Sequence, residues 1–337
     1  MPDTIPTADE DLLPYPATPP VVHYAEQALL GALLLVPARL KTIGLLDPAH
    51  FASPAHGALF AAMTTVPPPA PEVHHTSPVW LNRLLDAARP QARSLSASYL
   101  HTLIRVCRTD AHAPAYAHMV RAGHARRVLR RHAGLLAQAA RTPGPDPART
   151  ALTRADQLAG HLDEMATSFP SHPGSIPRTP TTSPAAVPPT AEAEDEERML
   201  LAAATAHPED LPRWLQEADF TTPVHAALFT CLTGLTRRGA PVDPITVLWE
   251  AQQHGLLHDG FGPTDLLDAL SHPTPAAEHW GQKILQRALL RQAEEVAARI
   301  EALTADEATT VHQLATGSRR ALAALASVRA RWHQAVT

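Results

Sequence analysis

A chain of 337 residues with 28 Lys and Arg against 33 Asp and Glu, a formal charge of −5, has no excess positive charge to draw it to nucleic acid. Aromatic residues make up 4% while alanine and leucine abound, which favours helix packed on helix over a β-sandwich. No run approaches the roughly 18 apolar residues of a transmembrane helix, and the acidic, proline-rich start lacks the basic head and apolar centre of a secretion signal, so a cytoplasmic protein without membrane contact is expected.

One pattern occurs twice. It reads Phe51-Ala-Ser-Pro54-Ala-His56-Gly-Ala-Leu59-Phe60 in the first half and Phe220-Thr-Thr-Pro223-Val-His225-Ala-Ala-Leu228-Phe229 in the second. An ordered FxxPxHxxLF block of this length marks a tandem duplication of one helical module. After a tail over residues 1–20, the first copy opens with Glu26-Gln-Ala-Leu29-Leu30-Gly-Ala-Leu33-Leu34, and the second answers with Glu197-Arg-Met-Leu200-Leu201. Leu29, Leu33 and Val36 at i, i+4, i+7, flanked by Leu30 and Leu34, predict a wide apolar stripe on a helix.

The repeated block carries its own helix start. Ser53 or Thr222 stands where an N-cap belongs, and Pro54 or Pro223 takes the first helical position, where a missing N–H costs nothing. Phe51 and Phe220 precede the cap, placed to staple the incoming chain. A third start is expected at Ser77-Pro78-Val79 and at Asp243-Pro244-Ile245, the latter helix running to about His254 with Gly255 closing it. The first copy reaches this point through a longer proline-rich loop, PPPAPEVHHT.

A short helix follows over Tyr99–Cys107 and Thr264–Leu270. A long helix then covers Ala115–Arg141 and Ala276–Leu303, and a last one Ala148–Met165 and Ala305–His333. The two long helices of each copy predict a helical hairpin. The expected fold is all-α: two small helical-bundle domains over 21–167 and 192–335, each followed by its hairpin, joined by a Pro/Ser/Thr-rich flexible linker over 168–191.

Chemistry-bearing residues are many but unassembled. His56 and His225 recur near helix starts, with no cysteine or carboxylate recurring at ligand spacing, so Phe51, Pro54, His56 and Phe60, with Phe220, Pro223, His225 and Phe229, are read as structural. Cys107 and Cys231 fall at non-equivalent places and predict neither disulfide nor metal site. His74-His75 lies in a polar loop, and His101 and Cys107 point to different helix faces. The most basic run supplies Arg126, Arg127, Arg130 and Arg131 as a possible phosphate or acidic-partner contact, set against the reading of a solvated helix face. No nucleophile elbow or paired catalytic carboxylates occur, and the acidic run Glu192 to Glu197 suits a helix N-terminus. No metal, cofactor or catalytic group is expected.

Taken in order, AEQALLGALL, FxxPxHxxLF, Gly239-Ala-Pro241-Val242-Asp243 and Tyr99-Leu100-His-Thr-Leu103 before an arginine-rich helix resemble the N-terminal domain of the bacterial replicative DNA helicase, DnaB. The resemblance covers both halves. It implies a small all-helical module that pairs with its own kind through the terminal hairpin, here around Tyr116–Leu136 and Trp280–Ile300. It also implies a collar on a hexameric helicase that contacts primase. In that family an ATPase domain follows the module; here a second module follows. A P-loop needs Gly-Lys-Ser/Thr, and neither of the two lysines, Lys41 and Lys283, follows a glycine. The expectation is a protein without a motor that acts through a replicative helicase, a primase, or both, with pairing of the copies or self-association. A DNA-binding or regulatory helical protein and a self-associating remnant of a helicase are the alternatives.

Overall fold

The computed structural model describes residues 19–74, 76–169, 189–258, 260–271 and 276–337. The expected N-terminal tail and most of the expected linker lie outside these residues. The chain divides into two compact units, Met1–Arg126 and Arg127–Thr337. Both are helical, and among the described residues the one extended pairing is an isolated antiparallel bridge between His258 and Phe261.

The first unit holds α1 (Val21–Leu35), α2 (Pro54–Thr65), the single turn α3 (Pro71–His74) inside the proline-rich loop, α4 (Val79–Ala88), α5 (Ala97–Val106) and the start of α6 (Ala113–Arg141). Leu29, Leu30, Leu33 and Leu34 are all buried, so α1 is covered on most of its circumference and forms the middle of the unit. Each such leucine contributes about 1.5–3 kcal/mol of burial. Around them gather Phe51, Phe60, Met63, Trp80, Leu100 and Leu103. Val36, expected on the stripe, instead closes α1 in a non-helical conformation.

Local chemistry sets most of these boundaries. Ser53 Oγ accepts from the His56 N–H at 3.4 Å with Pro54 in the first turn, as the repeat predicts. Asp243 caps α10 (Pro244–Gln253) through the amides of Ile245 and Thr246 at 2.8 and 2.9 Å, and Thr246 Oγ1 accepts the Asp243 amide at 2.9 Å. Gly255 follows at φ 69°, the left-handed conformation that a closing glycine supplies without strain. Two starts differ from expectation. Pro78, not Ser77, holds the cap position of α4. Thr222 holds that of α9 (Pro223–Arg237), yet among the described residues its side chain makes no capping hydrogen bond to the first turn.

The second unit contains the rest of α6, then α7 (Pro147–Ser168), α8 (Ala191–Ala206), α9, α10, α11 (Pro263–Leu270), α12 (Ala277–Ala305) and α13 (Val311–Ala335). The last helix begins later than expected. Asp306 bonds to the Ala308 amide at 3.0 Å and the Thr309 hydroxyl at 2.8 Å, which turns the chain, and Thr310 with Gln313 then forms a capping box.

Here the two hairpins meet. Arg130 of α6 donates to the Thr304 carbonyl of α12 at 2.8 Å, and Arg141 lies 3.5 Å from Glu294. On the other helices, Arg319 of α13 pairs with Asp163 of α7 at 2.6 Å, and Arg329 with Asp156 at 3.0 Å. Both helix pairs therefore run antiparallel. α6 and α12 are each 29 residues long, and counted from their starts Arg130 matches Glu294 while Arg141 matches Ala305. The Arg130–Thr304 and Arg141–Glu294 contacts are thus reciprocal to within one residue, the signature of an isologous pairing about a pseudo-two-fold axis. Leu129, Leu136, Leu158, Leu162, Val296 and Ile300 are buried along these helices.

Within the first unit, α1 touches α5 backbone to backbone at Gly31. A Cβ there would lie 2.1 Å from the Leu103 carbonyl oxygen. Gly31→Ala must push α5 off α1 and is expected to cost about 1–3 kcal/mol, as overpacking does. A urea midpoint equal to that of the unaltered chain would refute this close approach.

Candidate functional site

The recurring histidines sit in a buried network that spacing alone did not show. Glu26 on α1 is completely buried, and its carboxylate faces the start of α2. One oxygen accepts the Ala52 N–H. The other accepts the Ser53 N–H at 3.3 Å and lies 2.7 Å from His56 Nδ1. The second copy repeats this arrangement on α8 and α9. Glu197 accepts the Thr221 amide at 2.6 Å, its hydroxyl at 2.7 Å and the Thr222 amide at 3.2 Å, and lies 2.9 Å from His225 Nδ1. A carboxylate therefore does recur beside each histidine, contrary to the reading of the sequence. It comes from the helix before, and it takes up the amides of the two residues that lead into the next helix.

Burial by itself would raise the Glu197 carboxyl. Hydrogen bonds from the His225 ring and from the amide and hydroxyl of Thr221 outweigh it and hold the group below the usual carboxylate range. Glu197 is thus ionised near neutrality and accepts the N–H of His225 Nδ1.

The two copies then diverge. In the first, Tyr99 of α5 places its hydroxyl 2.6 Å from His56 Nε2, and Gln27 donates to the same hydroxyl at 3.2 Å. His23 stacks on His56 with ring centroids 4.9 Å apart; burial, then the neighbouring His56, hold its pKa below the ordinary value against the pull of Glu26. His23, Glu26 and His56 have ligand-type atoms within 4.8 Å of one another. Both His56 nitrogens and both Glu26 oxygens already have protein partners, so hydrogen bonding accounts for this cluster without an ion.

In the second copy the third residue after the helix cap, Tyr99 in α5, is Asp265 in α11, which bonds back to the Gly262 amide at 2.7 Å. His225 instead borders an open cavity of about 830 Å³.

The other named residues fall into place around these networks. Phe51 stacks obliquely on Phe60 at 5.2 Å and Phe220 on Phe229 at 5.0 Å, while Pro54 and Pro223 occupy the first turns of α2 and α9. Of the arginine run, Arg130 is engaged by Thr304 at the C-terminal end of α12, where a cation suits the helix dipole. Arg126 and Arg127 are half-buried, and Arg131 is exposed. Cys107 and Cys231 are free and buried; burial, followed by Glu250, pushes the Cys231 thiol up to about 11. No helix among the described residues is long and apolar enough to cross a membrane.

Comparison with known families agrees with this two-fold design. The DnaB-like helicase N terminal domain matches residues 18–122 and again 190–284, and the chain belongs to that family. This makes it a replication-related, helicase-like protein built on a duplicated domain. The match is to the N-terminal domain and not to the ATPase domain of the helicase. No curated protein and no solved structure matches the chain.

Glu197→Ala removes a buried carboxylate from four donors and is expected to cost about 3–5 kcal/mol in urea denaturation. Because the folded pKa of Glu197 is depressed, its contribution is present above its ordinary value of 4.5 and is lost as pH falls through the lower folded value. Glu197→Gln should therefore flatten the stability profile below about pH 4.5; an acid limb identical in both proteins would sink the assignment.

Proposed function

We propose that the protein is a non-catalytic replication factor that binds the replicative helicase, the primase, or both, using two helicase-collar modules without a motor, in the cytoplasm. The reading is carried by the reciprocal pairing of the two hairpins inside one chain. Self-association surfaces of this kind are normally satisfied by a second subunit. When the same chain fills them, the module pair arrives preassembled and its other faces remain for a partner.

One such face is visible on α10. Ile245 and Trp249, one turn apart, are each 63% exposed, and a solvent-facing tryptophan beside a β-branched residue is the composition of a protein-binding anchor. The alternative, DNA binding through Arg126, Arg127, Arg130 and Arg131, is the weaker one. Arg130 is engaged within the chain, and the overall charge is −5.

The purified protein is expected to run as a monomer by light scattering and to be retained by the helicase or primase of its own host with fixed stoichiometry. Trp249→Ala should weaken that complex at least tenfold while leaving the monomer mass unchanged. Retention by neither protein would overturn the proposal, and a salt-dependent shift of labelled DNA in its place would favour the alternative.

A further inference from the structure

The seam of the first hairpin carries a pair of histidines. His132 of α6 and His161 of α7 lie ring on ring, with centroids 5.4 Å apart and planes 21° from parallel, and both are half-buried. Among the described residues His161 Nε2 is buried without a hydrogen-bond partner, so a proton placed there has no acceptor. His161 Nδ1 lies 3.5 Å from Glu164, whose side chain is 81% exposed and therefore well screened. Counted from the helix starts, His132 matches Val296 of α12, which is completely buried. The second hairpin thus keeps at this position a side chain that cannot be charged, and the first holds an ionisable one.

Charged groups of both signs face the pair from the helices around it. Arg131 on α6 and Arg154 on α7 act on His132 as like charges, and Glu164 on α7 acts against them. From α13, Arg319 reaches the Leu162 carbonyl at 3.5 Å and is paired with Asp163, while Glu301 of α12 stands beside Gly134. Burial first, then His161, Arg131 and Arg154, hold the His132 pKa below its ordinary value of 6.5. Protonating both rings sets two like charges face to face beside these two arginines and leaves a buried N–H on His161 to be satisfied. We propose that His132 and His161 form a proton-operated latch in the first hairpin: with no more than one proton on the pair α6 and α7 stay closed, and a second proton parts them at this level. The Arg130–Thr304 and Arg319–Asp163 contacts, each two residues from one of the histidines, loosen with it, so the pairing of the two hairpins weakens in acid. Because the folded pKa of His132 is depressed, its contribution to stability is complete above pH 6.5 and is lost as pH falls through the folded value.

The test is amide hydrogen exchange of the full chain at about pH 7.5 and about pH 5, corrected for intrinsic rates; the lower value stays above the range in which Glu197 loses its charge. Protection of α6 and α7 around His132 and His161 is expected to fall at the lower pH, by about tenfold for each unit by which the second protonation is depressed. Protection of α8, in the same unit, should stay within about twofold. His132→Val, which installs the residue that the second hairpin uses, should abolish the difference. A fall of the same size in that variant would overturn the proposal. On the unaltered chain, histidine-ring NMR should show the two residues titrating in two coupled steps, at least one of them below pH 6.5. Two independent titrations at the ordinary value would equally overturn it, whether or not the variant folds.

Discussion

Each module depends on a carboxylate placed where no water reaches it. Burying an ion is costly unless nearly all its acceptor capacity is used, and Glu26 and Glu197 meet that condition by gathering the amides that precede a proline-started helix. Proline in the first turn brings no N–H of its own, so the donors left over are those of the residues just before it. A glutamate on the preceding helix takes them together with the ring N–H of the histidine two positions past the proline. The network therefore fixes the register of α1 against α2, and of α8 against α9. It also fixes the orientation of each histidine ring, with Nδ1 turned to the glutamate and Nε2 turned away. Such a network is cooperative: removing one member strands the others in a low-dielectric interior.

The hairpin contacts impose a second constraint of a different kind. Arg319–Asp163 and Arg329–Asp156 are exposed ion pairs and contribute little on their own. What they report is registration: two antiparallel helix pairs with reciprocal contacts, whose leucine, valine and isoleucine side chains are buried along their length. Apolar burial supplies the stabilisation. The peripheral charges, and Arg130 at the C-terminal end of α12, oppose sliding by a turn. This is the economy of a symmetric dimer carried out within one chain, where the effective concentration of the second half is fixed by the tether.

Features whose signals are local were legible in the sequence. The recurring Phe, Pro and His residues, the stripe of Leu29, Leu30, Leu33 and Leu34, the Asp243 cap and the closing Gly255 each declare themselves within a few residues. Contacts across tens of residues leave no such local signal. Glu26 lies one helix before His56 and Glu197 one helix before His225, so neither pairing falls at helical or metal-ligand spacing, although each glutamate stands at the same place in its repeat. That recurrence was the available signal. Arg130 gives no such signal, because its partner, the Thr304 carbonyl, is a backbone atom of a distant helix and leaves no trace in composition. The late start of α13 came from Thr310 and Gln313, a capping pair masked by the helix-favouring residues on either side.

Duplication explains why the two Glu–His pairs can be alike while their outer sides differ. In the first module Gly31 admits α5 to the surface of α1, and Tyr99 then completes the hydrogen bonding of His56 from a close-packed position. Replacing the glycine with alanine and the tyrosine with aspartate removes both the approach and the cap. If the walls were apolar, the resulting void would be destabilising at roughly 24 cal/mol per Å³, and the same exchanges would be expected to collapse it. Carboxylates and an imidazole stand among the apolar lining residues, and water or a polar ligand can satisfy them, so the space can stay open without the full penalty of an apolar void. The inner half of the network carries the fold and is held the same in both copies. The outer half is free to diverge in one copy because the core beneath it does not depend on what covers His225.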